Sequence, residues 1–203
     1  MNVFLTGSAS GLGRELFNQL VELGHTVTAP TRDQLDLSVP EQVVSYNMSP
    51  VDLLINCAGT GIGGKIDFCN HRPTDMITIL NTNLIAPLLL CQAVLKLNRQ
   101  CRIVNVTSTN CNRYWPGDLA YSLSKQSLAD LGSMLRVEYP SLSYLEVRLG
   151  LTKTNFNRNR YVNETERFQD LYATNHYQTT KSVVDKIVNV LFDNSIRFIE
   201  VSP

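Results

Sequence analysis

Short apolar runs alternate with amphipathic stretches along the whole chain. Contiguous apolar runs predict buried strands, whereas apolar residues that recur every three or four positions predict helices. The predicted strands are 2–5, 26–29, 51–56, 102–106, 143–148 and 197–201. The predicted helices are 12–23, 40–46, 72–97, 118–138 and 181–192. Segment 32–37 must turn and form a further short strand, because the helix at 40–46 follows at once.

This alternation of strands and helices predicts an α/β fold. We expect a doubly wound, mostly parallel sheet of about seven strands with helices on both faces. A single domain should span residues 1–203. In such a sheet ligands bind at the carboxyl ends of the strands, so functional residues should lie where strands end.

Three glycines follow the first strand in the spacing Gly7-x-x-x-Gly11-x-Gly13. Glycine lets the chain leave a strand through angles that a Cβ forbids, lets backbone approach a pyrophosphate, and lets a helix pack closely on the sheet. The helix that begins near Leu12 directs free N–H groups and its positive dipole end at phosphates. The pattern favours a Rossmann-like dinucleotide site, with an ordinary glycine-rich turn as the alternative.

A serine, a tyrosine and a lysine form a second candidate group. Ser108 follows the strand at 102–106, and Tyr121 and Lys125 lie one turn apart on the helix at 118–138. Residues four apart share a helix face, so the Lys125 ammonium can lie near the Tyr121 hydroxyl. A nearby positive charge lowers the pKa of a phenol, which would let Tyr121 exchange a proton with a substrate oxygen. The alternative is a solvated surface pair.

Together these motifs resemble the short-chain dehydrogenase/reductase family over nearly the whole chain. The matching features are, in order, Thr6-Gly7-x-x-x-Gly11-x-Gly13, Asp36-Leu37, Asn56-Cys57-Ala58-Gly59, Asn83, Ser108 and Tyr121-Ser-Leu-Ser-Lys125. The resemblance implies hydride transfer between a nicotinamide cofactor and the carbonyl or alcohol carbon of a small molecule.

The resemblance also implies four catalytic residues. Tyr121 would be the general acid in reduction, and Lys125 would lower its pKa and bond the nicotinamide ribose. Ser108 would orient and polarise the substrate oxygen. Asn83 is similar to the family's helix-distorting Asn that helps hold a proton-relay water, with a plain helical Asn as the alternative.

A cofactor-binding set follows from the same resemblance. Asp36 would bond the adenine amino group, Leu37 would line that ring, and Asn56, Ala58 and Gly59 would pass beneath the adenosine ribose. The whole expected set is Thr6, Gly7, Ser10, Gly11, Leu12, Gly13, Thr31, Arg32, Asp36, Leu37, Asn56, Ala58, Gly59, Tyr121, Lys125, Gly150, Thr152 and Thr154. Cys57 stands where the family more often has a second Asn, which puts one sheet-bracing hydrogen bond in doubt.

The end of the second strand decides between the two nicotinamide cofactors. NAD sites place an acidic side chain at the ribose 2′-OH, whereas NADP sites need a cation for the 2′-phosphate. The Thr31 hydroxyl and the Arg32 guanidinium suit a phosphate, while Asp33 reaches the ribose if the turn shifts. We expect NADP(H) as the preferred cofactor, with NAD(H) as the second option. The alternative for Arg32 is a surface ion pair with Asp33.

Two stretches mark an abbreviated member of the family. Only a few residues lie between Ala29 and Asp36, so we expect the helix that commonly separates the family's second and third strands to be absent and the adenine side of the cleft to be open. Segment 155–180 is polar and aromatic and occupies the position of the family's substrate lid. Its arginines Arg158, Arg160 and Arg167 either bind an acidic substrate group or are solvated loop charges. No residue pattern identifies the substrate.

The composition limits the binding partners and the cellular location that we expect for this protein. Lys plus Arg and Asp plus Glu both number 18, so no strong attraction to nucleic acid or membranes follows. No apolar run approaches the roughly 18 residues of a membrane span, and a strand at 2–5 leaves no room for a signal peptide. We therefore expect a cytoplasmic protein. Five cysteines without a C-x-x-C pair favour reduced thiols, and three scattered histidines predict no metal site.

The long apolar helices around 77–97 and 119–135 predict a homodimer or homotetramer. The leading hypothesis is an NADPH-dependent carbonyl reductase that also works in reverse as an alcohol dehydrogenase. One alternative is a dinucleotide-sensing regulatory or interaction protein that uses the same fold without chemistry. Another is an isomerase, epimerase or dehydratase that uses the nicotinamide transiently.

Overall fold

The computed structural model describes residues 1–160, 171–173 and 176–203. Its strands are β1 (Asn2–Leu5), β2 (Thr26–Thr28), β3 (Leu53–Asn56), β4 (Arg102–Ser108), β5 (Tyr144–Leu149), β6 (Thr152–Lys153), β7 (Gln178–Thr179) and β8 (Phe198–Val201). Its helices are α1 (Gly11–Glu22), α2 (Pro40–Ser45), α3 (Pro73–Leu80), α4 (Ala86–Leu97), α5 (Leu119–Glu138), α6 (Asn155–Arg160) and α7 (Thr180–Leu191).

The main sheet has the spatial order β2-β1-β3-β4-β5-β8, and every neighbouring pair is parallel. The chain runs outward from β1 to β2 and then crosses back to β3, so the winding reverses between β1 and β3. In a doubly wound sheet this reversal opens a crevice at the carboxyl ends of the strands. β6 and β7 pair separately as a two-stranded parallel sheet. The predicted Rossmann-like α/β fold is confirmed.

Apolar layers cover both faces of the main sheet. Successive side chains of a strand point to opposite faces, so neighbours in β1 pack against different helices. Val3 packs in one buried cluster with Leu16 of α1 and Ile187 of α7. Phe4 packs in a second cluster with Leu90 of α4. The sheet is therefore held between two helical layers, which leaves its strand ends open for a ligand.

Residues 32–37 form turns, so the predicted short strand there is wrong. The amide of Leu35 donates to the carbonyl of Thr31 at 2.9 Å. The Asp36 carboxylate accepts a hydrogen bond from the amide of Ser38, also at 2.9 Å. Because local partners satisfy groups that a strand would pair across the sheet, the main sheet of the described chain has six strands.

The predicted helix 72–97 contains a change of helical type. α3 and α4 are joined by a π-helical turn, Asn81–Ile85. π turns are rare and frequently occur at functional sites. Asn83 is fully buried within this turn. The helix distortion that the family resemblance implies is thus present at the expected residue.

The stretch Pro73–Leu97 also corrects an expectation about membranes. It is 25 residues long with a mean hydropathy of 1.6 in its most apolar window, enough by length and composition to cross a membrane. The expectation that no apolar run approaches this length is therefore wrong. Polar residues interrupt the stretch, but its mean hydropathy remains high. Leu90, Cys91 and Val94 are buried against the sheet, which accounts for the apolar inner side of the helix. The absence of a membrane partner stays a prediction.

The predicted lid, 155–180, belongs only in part to the described residues. Its first residues form α6, and its last residues form β7 and the start of α7. Arg167 lies outside the described residues, as does the side chain of Arg158. Arg160 ends α6, and its side chain borders the cleft at the strand ends.

Candidate active site

A cleft of about 820 Å³ opens at the carboxyl ends of the central strands. The expected site residues that line it are Thr6, Gly7, Ser10, Gly11, Leu12, Gly13, Thr31, Arg32, Asp36, Leu37, Ala58, Gly59, Ser108, Tyr121, Lys125, Gly150, Thr152 and Thr154. Asn56 and Asn83 are buried behind its wall. The fold therefore collects residues from most of the chain's length into one concave site.

The loop after β1 forms a close-fitting cradle that only glycine allows. Gly7 has φ +81°, and a Cβ there would lie 2.8 Å from the Cα of Ala58. A Cβ on Gly13 would lie 2.1 Å from the carbonyl oxygen of Gly7. Ser10 is the N-cap of α1, but its side chain makes no capping hydrogen bond. The first-turn N–H groups, which have no acceptor within the helix, thus border the cleft as a phosphate group requires.

Thr6 fixes the end of β1 to the loop that follows β3. Its hydroxyl accepts hydrogen bonds from the amides of Cys57 and Ala58, both at 3.1 Å. The same hydroxyl donates to the carbonyl of Ile55 at 3.5 Å. Thr6 therefore positions the two loops that bound the crevice relative to each other.

The adenine end of the cleft carries an ion pair. The Nε atom of Arg32 lies 3.1 Å from Oδ2 of Asp36, so the partner of Arg32 is Asp36 and not Asp33. Partial burial raises the pKa of Asp36, but hydrogen bonds from Ser38 and the charge of Arg32 outweigh it and lower that pKa overall. The Arg32 side chain is 76% exposed and faces open solvent beside the cleft.

Asn56 braces the sheet behind the cleft and is not among the residues that line it, so its expected place beneath the ribose stays a prediction. Its side-chain amide donates to Oδ1 of Asn105 at 2.8 Å, between β3 and β4. Asn105 in turn donates to the Tyr144 hydroxyl at 3.0 Å, and that hydroxyl donates to the carbonyl of Leu128 at 3.4 Å. This buried chain joins three strands to α5, although Cys57 replaces the family's second Asn.

Asn83 connects the loop after β3 to α5. Its Oδ1 accepts from the amide of Thr60 at 2.8 Å, and its Nδ2 donates to the carbonyl of Thr60 at 2.9 Å. Nδ2 also donates to the hydroxyl of Ser124 at 3.1 Å. Ser124 is the neighbour of Lys125 in the chain. The side-chain amide of Asn83, in the π turn, thus fixes the loop after β3 at the cleft wall. It also fixes α5, the helix that carries Tyr121 and Lys125.

Tyr121 is buried and lines the cleft with Ser108, the last residue of β4. Burial raises the pKa of Tyr121 to about 12, and a side-chain hydrogen bond with Ser108 opposes that rise. Burial dominates the pKa of Tyr121 in the protein alone, and the lowering of this pKa by Lys125 stays a prediction. The phenol keeps its proton at neutral pH, which suits a group that donates a proton.

Lys125 is buried one helical turn after Tyr121. Its ammonium donates to the carbonyl of Val106 at 2.9 Å. Burial lowers the pKa of Lys125 to about 8, while the thiols of Cys57 and Cys111 act in the opposite direction. A Cβ on Gly59 would lie 3.4 Å from the ammonium nitrogen, so glycine there keeps the space in front of Lys125 open.

The structure adds residues to the site that the sequence did not indicate. Lys65, Trp115, Asp118 and Phe156 line the cleft near Tyr121, together with Arg160. The Phe156 ring centroid is 5.6 Å from that of Tyr121. Lys65 comes from an irregular segment without hydrophobic periodicity, and Asp118 is the N-cap position of α5, so no local pattern identifies either as a site residue.

All five cysteines are free thiols, in agreement with the sequence prediction. Burial raises the pKa of Cys57, Cys91 and Cys101 to about 12 each, which makes them unreactive. Within residues 1–160, 171–173 and 176–203, no group of three or more His, Cys, Asp or Glu side chains could hold a metal ion.

The fold and the cleft define a class: a dinucleotide-binding α/β protein with a Ser–Tyr–Lys group at the strand ends. Residues 38–165 match the model of the short chain dehydrogenase family. This protein belongs to the short-chain dehydrogenase family and is an oxidoreductase of that type.

Comparisons with individual proteins agree with this assignment. A 3-ketodihydrosphingosine reductase of Bacteroides thetaiotaomicron is 28% identical, over 89% of this chain and 75% of that protein. The fold is similar to serine dehydrogenase complexed with NADP+, with a TM-score of 0.87, 19% identity and coverage of 99% and 94% of the two chains. It is also similar to 4-hydroxyisoleucine dehydrogenase complexed with NADH, with a TM-score of 0.80, 20% identity and coverage of 99% and 96%.

The shifted pKa of Lys125 predicts a pH dependence of stability. Its folded value of about 8 lies below the ordinary 10.5, so the unfolded chain binds more protons between these values. The free energy of unfolding should therefore rise with pH across this window. Relative to a Lys125→Met variant, which cannot titrate there, we expect a gain on the order of 3 kcal/mol. Urea unfolding of both proteins at the two ends of this pH window measures the gain. Equal changes in the free energy of unfolding of the two proteins would contradict the prediction.

Proposed function

We propose that this protein is an NADPH-dependent carbonyl reductase that also catalyses the reverse oxidation of an alcohol. The observation that carries the proposal is a buried Tyr121 that lines the cleft with Ser108 and lies one helical turn from a buried Lys125, beside a glycine cradle. Reductases among the relatives support it, including the Bacteroides 3-ketodihydrosphingosine reductase and a mouse 3-oxoacyl-[acyl-carrier-protein] reductase.

The described residues fit a nicotinamide dinucleotide. The Gly7–Gly13 loop and the uncapped first turn of α1 would hold the pyrophosphate. Thr31 and Arg32 at the open end would hold the adenosine phosphate, and Gly150 and Thr152 border the opposite end near Tyr121. When bound, NADPH supplies the hydride.

Residues of this chain donate the proton and stabilise the negative charge that develops during reduction. Tyr121 holds a proton on its hydroxyl at neutral pH and gives it to the substrate oxygen as that oxygen becomes basic. Ser108, hydrogen-bonded with that hydroxyl, orients the same oxygen. Below about pH 8 Lys125 carries a positive charge that stabilises the phenolate left by the transfer. Asn83 positions the helix that carries both groups, through Ser124.

The choice of NADPH depends on Arg32. A guanidinium binds a phosphate through two parallel hydrogen bonds, and Arg32 is exposed enough to turn toward one. Asp36 already pairs with Arg32, so a 2′-phosphate would share this cation. Solved structures of this fold contain NADP+, NADPH or NADH, which supports NADPH as the preferred cofactor and NADH as the second option.

A homodimer or homotetramer is part of the proposal. Leu88 of α4 and Leu123 and Met134 of α5 are 41%, 49% and 62% exposed and lie on the two long helices that the sequence analysis assigned to subunit pairing. A second copy of the chain would cover them. The cytoplasmic location predicted from the sequence likewise stays a proposal.

Removing the Tyr121 hydroxyl tests the catalytic assignment. In Tyr121→Phe, kcat for reduction of a carbonyl panel should fall by about 100-fold to 10,000-fold, because general acid catalysis is lost. NADPH affinity, measured by nicotinamide fluorescence, should change less than about threefold, because the ring remains. The matched control is Tyr114→Phe, whose hydroxyl lies on an exposed side chain outside the cleft. Unchanged turnover in Tyr121→Phe would refute the assignment.

Removing the Arg32 charge tests the cofactor preference. In Arg32→Gln, NADPH affinity should fall by about 10-fold to 100-fold, because a charge-assisted bidentate contact is lost. NADH affinity should stay nearly constant, since NADH has no 2′-phosphate. Lys96→Gln removes one exposed positive charge on α4, outside the cleft lining, and serves as the control. Equal losses for both cofactors would show that Arg32 does not bind the phosphate.

A further inference from the structure

Three large apolar side chains line the end of the cleft that holds Tyr121. Trp115 and Ile62 are 53% and 42% exposed, and both belong to the cleft lining. Phe156 lines the cleft as well, with its ring centroid 5.6 Å from that of Tyr121. These side chains come from the loop before α5, the loop after β3 and α6. We call Ile62, Trp115 and Phe156 the apolar wall.

Backbone contacts hold Trp115 at this end of the cleft. Its carbonyl accepts a hydrogen bond at 3.2 Å from the amide of Asp118, the N-cap residue of α5. Gly117 has φ +80°, and a Cβ there would lie 2.8 Å from the carbonyl carbon of Lys65. The turn that carries Trp115 therefore packs against the loop after β3, next to the first turn of the helix that carries Tyr121.

Ile62 lies at the same end because its neighbour Gly61 contacts α6. A Cβ on Gly61 would lie 3.2 Å from Cζ of Phe156 and 3.3 Å from Cδ of Arg160. Since glycine has no such atom, α6 packs directly on the loop after β3 and brings Phe156 to the Tyr121 ring. Three segments that are distant in the sequence thus form the apolar wall.

Charged side chains at this end contact one another and one member of the wall. The Asp118 carboxylate pairs with the Lys65 ammonium at 3.6 Å and with Arg160, and it accepts from the side-chain amide of Asn110 at 3.3 Å. The Lys65 ammonium also lies 5.3 Å from the ring centroid of Trp115, which favours one orientation of the indole. These contacts make the charged groups part of the framework of the cleft. The apolar wall supplies half-exposed surface that a ligand can bury.

We propose that the apolar wall binds an apolar substituent of the substrate, which makes the substrate a neutral ketone with an alkyl chain of several carbons. This inference rests on the proposed function, because it places the carbonyl oxygen at the Tyr121 hydroxyl. Each methylene group that leaves water for apolar surface strengthens binding by about threefold to fourfold. Aromatic side chains offer large apolar areas, and Trp115 has half of its surface left to bury. The wall begins at the Tyr121 ring, through Phe156, so an alkyl chain can follow it outward from the carbonyl.

Trp115 is the only tryptophan in the chain, so its fluorescence reports on the apolar wall directly. Wild-type protein is titrated with 2-butanol, 2-hexanol and 2-octanol in the presence of NADPH, which cannot reduce these alcohols. The Trp115 emission should shift to shorter wavelength as the chain covers the indole. The dissociation constant should fall by about threefold for each added carbon. An unshifted emission, or equal affinity for the three alcohols, would overturn the inference.

A matched acid tests whether this end of the cleft recognises charge instead. The compound 7-hydroxyoctanoate differs from 2-octanol only by a carboxylate in place of the terminal methyl group. It should bind no more tightly than 2-octanol, because an apolar surface stabilises no charge. Tighter binding of the acid would show charge recognition and would overturn the inference.

Variants separate binding of the alkyl chain from a structural role of the wall. Trp115→Ser and Ile62→Ser should each reduce the affinity ratio of 2-octanol to 2-butanol by about threefold to tenfold, because apolar contact area is lost. Val44→Ser removes a 70% exposed aliphatic side chain of α2, outside the cleft lining, and should leave the ratio unchanged. Ligand-observed NMR measures both affinities in every variant, including the one without tryptophan. If Trp115→Ser and Ile62→Ser weaken both alcohols equally, the wall only shapes the cleft and the inference fails.

Turnover keeps this inference distinct from the proposed function. A protein that reduces 2-butanone and 2-octanone with equal kcat/KM supports the proposed function and overturns the inference. A protein whose Trp115 emission responds to 2-octanol but that reduces no carbonyl retains the apolar wall as a binding site, and refutes both the reductase activity and the ketone substrate.

Discussion

The loop after β1 can lie against the end of β3 only because position 7 has no side chain. A Cβ on Gly7 would stand 2.8 Å from the backbone of Ala58, and its φ of +81° is one that other residues rarely adopt. This contact lets the Thr6 hydroxyl accept the amides of Cys57 and Ala58. From there the chain runs to Thr60, which Asn83 holds, and Asn83 binds Ser124 beside Lys125. The phosphate cradle and the proton donor are thus positioned by one continuous set of contacts.

Burial gives the two titratable residues opposite tendencies that suit reduction. It raises the pKa of Tyr121, so the phenol keeps the proton that the proposed reduction requires. It lowers the pKa of Lys125 to about 8, so the ammonium remains charged at neutral pH but at an energetic cost. That cost favours any nearby negative charge, including a phenolate. In the proposed reaction the site would therefore stabilise the negative charge that forms on Tyr121 when it gives up its proton.

The main elements and most of the site were predictable because they depend on local patterns. Strand and helix periodicity located the sheet, and the Gly7 and Tyr121 motifs located the two ends of the cleft. What depends on long-range packing was not predictable. The sequence did not show that Asn56 bonds Asn105 behind the cleft or that burial dominates the pKa of Tyr121. The ion pairs of Lys65 and Arg160 with Asp118 were equally unpredictable, because these residues are far apart in the chain and only the fold brings them together.

The central claim is that this cleft transfers a hydride to a carbonyl carbon, and isotope transfer tests it most directly. The protein is incubated with NADPH carrying deuterium at the transferable position of the nicotinamide, together with a panel of neutral ketones and oxo acids. Mass spectrometry and NMR of the products then locate the label. The account predicts deuterium on the carbinol carbon of at least one product. Tight NADPH binding with no label in any product would contradict it and would favour a dinucleotide-sensing protein.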